Sequence, residues 1–166
     1  MAHAGSLDGL PAVANGLLYV PEIDGSVEAF DAAGCGKATC KPVWTARAGA
    51  VHVGELAVTD TTLYVPSDDG RLYAFPSTGC GSSTCTPAWW VDAGSGVHAP
   101  AVAGSLVFAG TEGGRLVAVN AHGCGASACP ELRSVAVGSP LRQPLAVSDG
   151  RVFALTDGGV LHGFAL

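Results

Sequence analysis

The sequence predicts an all-β fold, a β-propeller of four-stranded antiparallel blades with four repeats in the chain, and three recurring columns carry that expectation. An apolar block appears as Pro11-Ala12-Val13-Ala14 and returns as Leu56-Ala57-Val58-Thr59, Pro100-Ala101-Val102-Ala103 and Leu145-Ala146-Val147-Ser148, its valine stepping by 45, 44 and 45 residues. The aromatic Tyr19 returns at Tyr64, Phe108 and Phe153, and the turn glycine Gly25 returns at Gly70, Gly114 and Gly159, with the same steps. Three columns in one register over four units define a repeat of about 45 residues, the period of propeller blades.

Each unit reads as a meander. The apolar run Ala12 to Ala14 precedes Asn15-Gly16, an alternating run from Leu17 to Val20, a turn at Asp24-Gly25, and a third run from Ser26 to Phe30. Asn-Gly and Asp-Gly supply the positive backbone angles of tight hairpins, so neighbouring runs pair antiparallel. A fourth strand is expected near Trp44, at Trp89-Trp90, and over 132–137. Small residues at Ala12, Ala57, Ala101 and Ala146 suit a crowded inner strand. A helical solenoid is excluded because no apolar period of 3.6 residues occurs. The repeats span about 11–54, 55–98, 99–143 and 144–166 of one propeller domain. The last unit lacks a fourth strand, and residues 1–9 are the expected closing strand, because Ala4-Gly5-Ser6 matches Ala93-Gly94-Ser95 in the repeat.

Composition narrows the function. The 166 residues are 48% hydrophobic and 13% charged, with 24 glycines, a profile of short strands and tight turns. A formal charge of −6 with eight scattered Lys and Arg offers no basic stripe for a phosphate backbone, which excludes nucleic acid. No apolar run reaches the roughly 20 residues that span a bilayer as a helix, and residues 1–5 lack the pattern of a signal peptide.

The stretch Ala29-Phe30-Asp31-Ala32-Ala33-Gly34 followed by Trp44 resembles the repeat of pyrroloquinoline-quinone-type propellers: an alanine, an aspartate two residues on, a Thr-Gly-like turn, then a tryptophan docking between blades. The second unit has Ala74-Phe75-Pro76-Ser77-Thr78-Gly79 and Trp89; the third has Ala118-Val119-Asn120-Ala121-His122-Gly123 and no tryptophan. The resemblance implies the propeller fold and blade packing by Trp44 and Trp89. It does not imply the quinone, because members that include the outer-membrane assembly propeller lipoprotein use the repeat to bind proteins, and the family's enzymes carry a vicinal disulfide that this sequence lacks. No cofactor and no metal are therefore expected.

Six cysteines fall as Cys35/Cys40, Cys80/Cys85 and Cys124/Cys129, each pair in a Gly-Cys-Gly-x-x-x-Cys loop between the third and fourth strands of its unit. Zinc needs four ligands at one point, which pairs on three separate blades supply poorly. Local disulfides are the preferred reading over metal binding or free thiols, and stable bridges place the protein in an oxidising compartment, periplasmic or extracellular. His52, His98 and Arg142 precede inner strands, at one mouth of the channel, where polar groups would bind an anionic small molecule or a peptide carboxylate; the competing reading is plain surface loop. Acidic turns such as Asp68-Asp69-Gly70 and Glu112-Gly113-Gly114 are turn chemistry, since a calcium loop needs several spaced oxygen ligands. Catalytic signatures are missing: there is no G-x-S-x-G elbow, H-E-x-x-H pair or phosphate loop. The sequence thus points to a binding or structural scaffold of secreted type rather than an enzyme. The alternatives are a fragment of a quinone-dependent oxidoreductase and an engineered or excised repeat set without its own native function. Ring closure stays open among a homodimer of half-rings, a four-bladed monomer and another assembly.

Overall fold

A computed structural model describes residues 9–49 and 54–166, and among them there is no helix. Among the described residues seventeen strands build a propeller of four blades. Blade 1 holds β1 (Ala12–Ala14), β2 (Leu17–Pro21), β3 (Ser26–Asp31) and β4 (Trp44–Arg47). Blade 2 holds β5 (Ala57–Val58), β6 (Thr62–Pro66), β7 (Arg71–Pro76) and β9 (Trp89–Asp92), with β8 (Thr84–Cys85) in its cysteine loop. Blade 3 holds β10 (Val97–Ala103), β11 (Leu106–Thr111), β12 (Arg115–Asn120) and β14 (Arg133–Ala136), with β13 (Ala128–Cys129) in its loop. Blade 4 contributes β15 (Ala146–Ser148), β16 (Arg151–Leu155) and β17 (Leu161–Ala165). The closing strand expected over residues 1–9 lies, but for Gly9, outside the described residues.

Within each blade the strands form an antiparallel meander from the inner strand outwards. The hairpin chemistry is visible in the backbone: Asn15 and Gly16 sit at φ 55° and 74°, and Asp149 and Gly150 at 50° and 69°, the pair of left-handed residues that a two-residue turn requires. Not every pairing is antiparallel. The second and third cysteine loops, expected as plain connections, place two residues each against the blade before: β8 pairs parallel with β4, and β13 parallel with β9. Blades 1 and 2 therefore carry a fifth strand borrowed from the next unit.

Alternation along each strand gives a blade two apolar faces, and each must be covered. Tyr19, Val27, Ala29 and Trp44 of blade 1 bury against Leu63, Val65, Tyr73 and Phe75 of blade 2. Tyr64, Leu72, Ala74 and Trp89 repeat the arrangement against Val107, Ala109, Val117 and Val119 of blade 3. Phe108, Leu116 and Ala118 meet Val152 and Ala154 of blade 4. The inner strands follow the same succession, β1 beside β5, β5 beside β10, and β10 beside β15.

At the first two junctions an indole is the wedge. Trp44 is 2% exposed and Trp89 7%. Each lies flat against a turn glycine of the following unit: a Cβ on Gly79 would stand 2.8 Å from Cδ1 of Trp44, and one on Gly123 would stand 2.6 Å from Cδ1 of Trp89. Those glycines also hold φ of +90° and +77°, so both backbone and space exclude a side chain. Gly125 separates the two effects, because its φ is +79° but nothing lies within 4 Å of its would-be Cβ. Gly125→Ala is expected to cost about 1–2 kcal/mol from backbone strain. Gly123→Ala is expected to cost about 2–5 kcal/mol, because the displaced indole adds an overpacking penalty. Urea midpoints of the two variants check this, and equal shifts would remove the wedge from the account.

Candidate functional site

Three features have the geometry to do more than fill space: a clasp beside each wedge tryptophan, a charged cluster among the turns of blades 3 and 4, and the exposed apolar side chains of blade 4 with the groove beside them.

The clasp begins with the tyrosine of the second strand. Tyr19 packs edge-on to Trp44 with centroids 6.1 Å apart, and its hydroxyl donates to the carbonyl of Ser77 at 2.8 Å. Tyr64 and Trp89 repeat the edge contact at 6.1 Å, and Tyr64 donates to the carbonyl of Ala121 at 2.8 Å. Each hydroxyl thus bonds the turn that also holds the wedge glycine, in the next blade. Above that turn the cysteine loop closes. Disulfides join Cys35 to Cys40, Cys80 to Cys85 and Cys124 to Cys129, with Cα separations of 5.7, 5.7 and 5.6 Å, and no cysteine is free. The local pairing read from the loops is present in all three units. In the second and third, the bridge holds the two-residue strand in place: the N–H of Thr45 donates to the carbonyl of Ser83 at 2.9 Å, and that of Trp90 to the carbonyl of Ser127 at 2.8 Å. At blade 1, Asn15 adds amide hydrogen bonds to the carbonyls of Thr59 and Asp60 at 3.0 and 3.1 Å.

The junction of blades 3 and 4 is built differently. Phe108 stands where Tyr19 and Tyr64 do and has no hydroxyl, and Arg133 replaces the tryptophan. A charged cluster lies there instead. The Nε2 of His98, on β10, lies 3.6 Å from Oε1 of Glu112, in the turn between β11 and β12. Arg142, in the loop leading into β15, donates to the same oxygen from Nε and Nη2 at 3.1 Å, and from Nη1 to Oδ2 of Asp157 in the turn of blade 4. These two carboxylates hold the Arg142 guanidinium above its ordinary pKa, with Asp157 the larger contributor. The structure therefore brings His98 and Arg142 to one carboxylate, while His52 lies outside the described residues. Glu112 and Asp157 were not among the residues the sequence singled out as a site. The available signal was an acid at the same turn position in consecutive units, Asp68, Glu112 and Asp157. Among the described residues no cluster of His, Cys, Asp and Glu has the makings of a metal site.

The two ends of the succession are unequally covered: on blade 1 Val20 and Phe30 are buried, and blade 4 leaves more of its apolar side chains exposed. On blade 1, Val13 is 67% exposed and shares an open hollow with Leu18 and Phe30. On blade 4, Leu155 and Leu161, paired across β16 and β17, are 42% and 65% exposed. Between blades 3 and 4 a groove of about 530 Å³ is lined by Leu106, Phe108, Leu116, Ala118, Val152 and Phe164, with Arg133 and Ser134 along its side.

Four-stranded blades, wedge tryptophans and a repeat of this length define a propeller of the quinone-type repeat class. Residues 24–127 match the family described as outer membrane protein assembly factor BamB, and the chain belongs to that family. No curated protein matches it. Among solved structures it is similar to the computationally designed Ika4 protein, at 16% identity and a TM-score of 0.79, covering 99% of this chain and 93% of that one. The designed Ika8 protein follows at 17% identity and 0.75, covering 99% of this chain and 47% of that one. BamB from Moraxella catarrhalis is similar at 15% identity and 0.73, covering 96% of this chain and 46% of that one. The chain thus spans about half the length of Ika8 and of BamB, and at these identities the likeness concerns the fold.

The tyrosine clasp has a measurable signature. Burial raises the pKa of Tyr64 above its usual 10.0, and does the same for Tyr19. A folded pKa above the unfolded one means that the contribution is complete below about pH 10 and is lost as pH rises through the folded value, because the unfolded chain ionises first. Tyr64→Phe is expected to cost about 1–2 kcal/mol at pH 7, leaving the Ala121 carbonyl without its donor. The same variant is expected to lose less stability between pH 9 and 11 than the parent does. Denaturant titrations across that range check both effects.

Proposed function

We propose that the chain is a non-catalytic scaffold module of an oxidising compartment, periplasmic or extracellular, whose four blades form half of an eight-bladed ring closed by a second copy. The observation that carries this reading is the chemistry of the two end faces. At the internal junctions the columns of Ala12, Tyr19, Val27 and Ala29 meet those of Leu63, Val65, Tyr73 and Phe75. The far face of blade 4 presents the first set as Ala146, Phe153, Leu161 and Gly163; the near face of blade 1 presents the second as Leu18, Val20, Glu28 and Phe30. One chain therefore ends in both halves of a junction it already makes three times. Two copies related by a two-fold axis would form that junction twice and close, covering Leu155 and Leu161 of blade 4, which are 42% and 65% exposed, whereas Val20 and Phe30 of blade 1 are buried already. The half-length match to Ika8 and BamB supports the same arithmetic.

The scaffold part of the reading is supported by the residues available. Among the described polar groups that converge, Arg142 joins Glu112 of blade 3 to Asp157 of blade 4, which is the arrangement of a structural tie, while the buried Nε2 of His98 stands 3.6 Å from Glu112 without a hydrogen bond. Disulfides in every cysteine loop support the oxidising compartment.

Sedimentation equilibrium tests the assembly. The chain is expected at about twice its 16.5 kDa, and Leu161→Glu on the end face is expected to return it to a folded monomer. A parent chain that stays monomeric at high micromolar concentration overturns the half-ring. On the same sample, pyrroloquinoline quinone with calcium is expected to show no saturable binding; stoichiometric uptake would overturn the non-catalytic reading.

A further inference from the structure

The two bridges that seat a strand on the preceding blade each have one sulfur at the surface and one in the core. Cys80 and Cys124 are exposed, whereas Cys85 and Cys129 are 0% and 9% exposed and belong to the apolar clusters of Trp44 and Trp89. A thiolate is the form of a thiol that attacks a disulfide. Arriving from solvent, it meets Cys80 or Cys124 and must expel the buried partner. The neighbouring Gly81 and Gly125 have no atom within 4 Å of where a side chain would stand, so they leave that approach clear.

What surrounds the leaving sulfur separates the two bridges. The backbone N–H of Cys80 donates to Sγ of Cys85 at 3.1 Å, and the carbonyl of Ser82 lies farther from that sulfur, at 3.9 Å. Sγ of Cys80 itself faces the carbonyl oxygens of Ser82 and Thr84, at 4.0 and 3.8 Å, which oppose negative charge there. Charge released by cleavage is therefore received at Cys85, the direction that exposure also imposes. Among the described residues no N–H stands in the same relation to Cys129, whose sulfur faces the carbonyl of Ala126 at 3.5 Å.

The bridge lies next to what it holds. Gly79, against which Trp44 rests, directly precedes Cys80, and Cys85 is the second residue of β8, paired with Ala46. Opening the six-residue ring releases Ser83, whose carbonyl accepts from the N–H of Thr45 at 2.9 Å.

We propose that Cys80 is a thiol-exchange site for a small thiol, and that exchange there unlatches β8 from blade 1. The thiol's sulfur bonds to Sγ of Cys80, the Cys80–Cys85 bond breaks, and its electron pair leaves on Cys85. Water returns to Cys85 the proton that the attacking thiol gave up. One disulfide replaces another, so no oxidant or reductant is consumed. The site acts within one chain and does not rest on the half-ring.

The probe is reduced glutathione, added under argon to the 166-residue protein and quenched with N-ethylmaleimide. Early in the reaction, peptide mapping is expected to find glutathione on Cys80 and maleimide on Cys85. The same products at Cys124 and Cys129 are expected about tenfold more slowly, the worth of one hydrogen bond to a charged sulfur. Hydrogen exchange is expected to lose protection over 44–47 in step with the Cys80 adduct, before 89–92 changes. Cys124→Ala/Cys129→Ala is expected to leave the rate at Cys80 unchanged, and Cys80→Ala/Cys85→Ala to expose 44–47 without any thiol. Should either variant not fold, the time courses of the parent protein decide. Glutathione on Cys85, equal rates at the two bridges, or a Cys80 adduct that leaves 44–47 protected overturns the proposal. So does loss of protection over the whole chain at once, which would make the bridge a general staple rather than a latch.

Discussion

An indole resting on a glycine of the next blade is the contact on which the rest of this propeller depends. A four-stranded blade has two apolar faces and no means of hiding both, so its stability lies in its neighbours. Trp44 and Trp89 fix the distance and the angle of that neighbour. They do so because Gly79 and Gly123 expose bare backbone at a left-handed turn. Tyrosine hydroxyls and the disulfide loops then act on the same turn, Tyr19 and Tyr64 by a hydrogen bond to its carbonyl, the loops by a parallel pair of residues on the outer strand. Wedge, hydrogen bond and borrowed strand converge within a few residues, so each holds the others in register. The bridges constrain loops of only six residues, which makes their main service the shaping of a docking strand rather than a large gain in chain entropy.

The junction of blades 3 and 4 keeps the apolar core and exchanges the clasp. Val152 and Ala154 are buried against Phe108 and Leu116 as their counterparts are elsewhere. Without indole and tyrosine, the tie lies among the turns, where Arg142 pairs with Glu112 of blade 3 and Asp157 of blade 4. Ion pairs this exposed contribute little to stability, since water and salt screen them. Their geometry nonetheless spans two blades, and it orients the loop that starts β15. A groove of about 530 Å³ lies between these two blades, lined by Phe108, Leu116, Val152 and Phe164.

A molecule built this way is suited to holding and presenting surfaces. Rigid blades position the edges and end faces that they do not use themselves. Unit 3 departs from units 1 and 2 at two columns, with Phe108 for tyrosine and Arg133 for tryptophan.

Blade number, strand order and the disulfide pairs were legible in the sequence, because each rests on local rules: alternation of period two, turn dipeptides with positive φ, and cysteines too close in the chain to miss each other. The repeat also exposed the tyrosine and tryptophan columns. It was silent on what those columns touch, since Tyr19 reaches Ser77 and Tyr64 reaches Ala121 across more than fifty residues. The same limit hid β8 and β13, whose two residues have no pattern of their own and become strands only because a neighbouring outer edge offers hydrogen bonds. It also hid that Arg142, grouped in the sequence with His52 and His98 as a candidate binding site, meets the turn acids Glu112 and Asp157. Sequence by itself determined the units and their internal pairing; only tertiary structure decided what lies between units. The physical reason is that a blade is specified by short-range backbone chemistry, whereas a junction is specified by the geometry of two surfaces brought together.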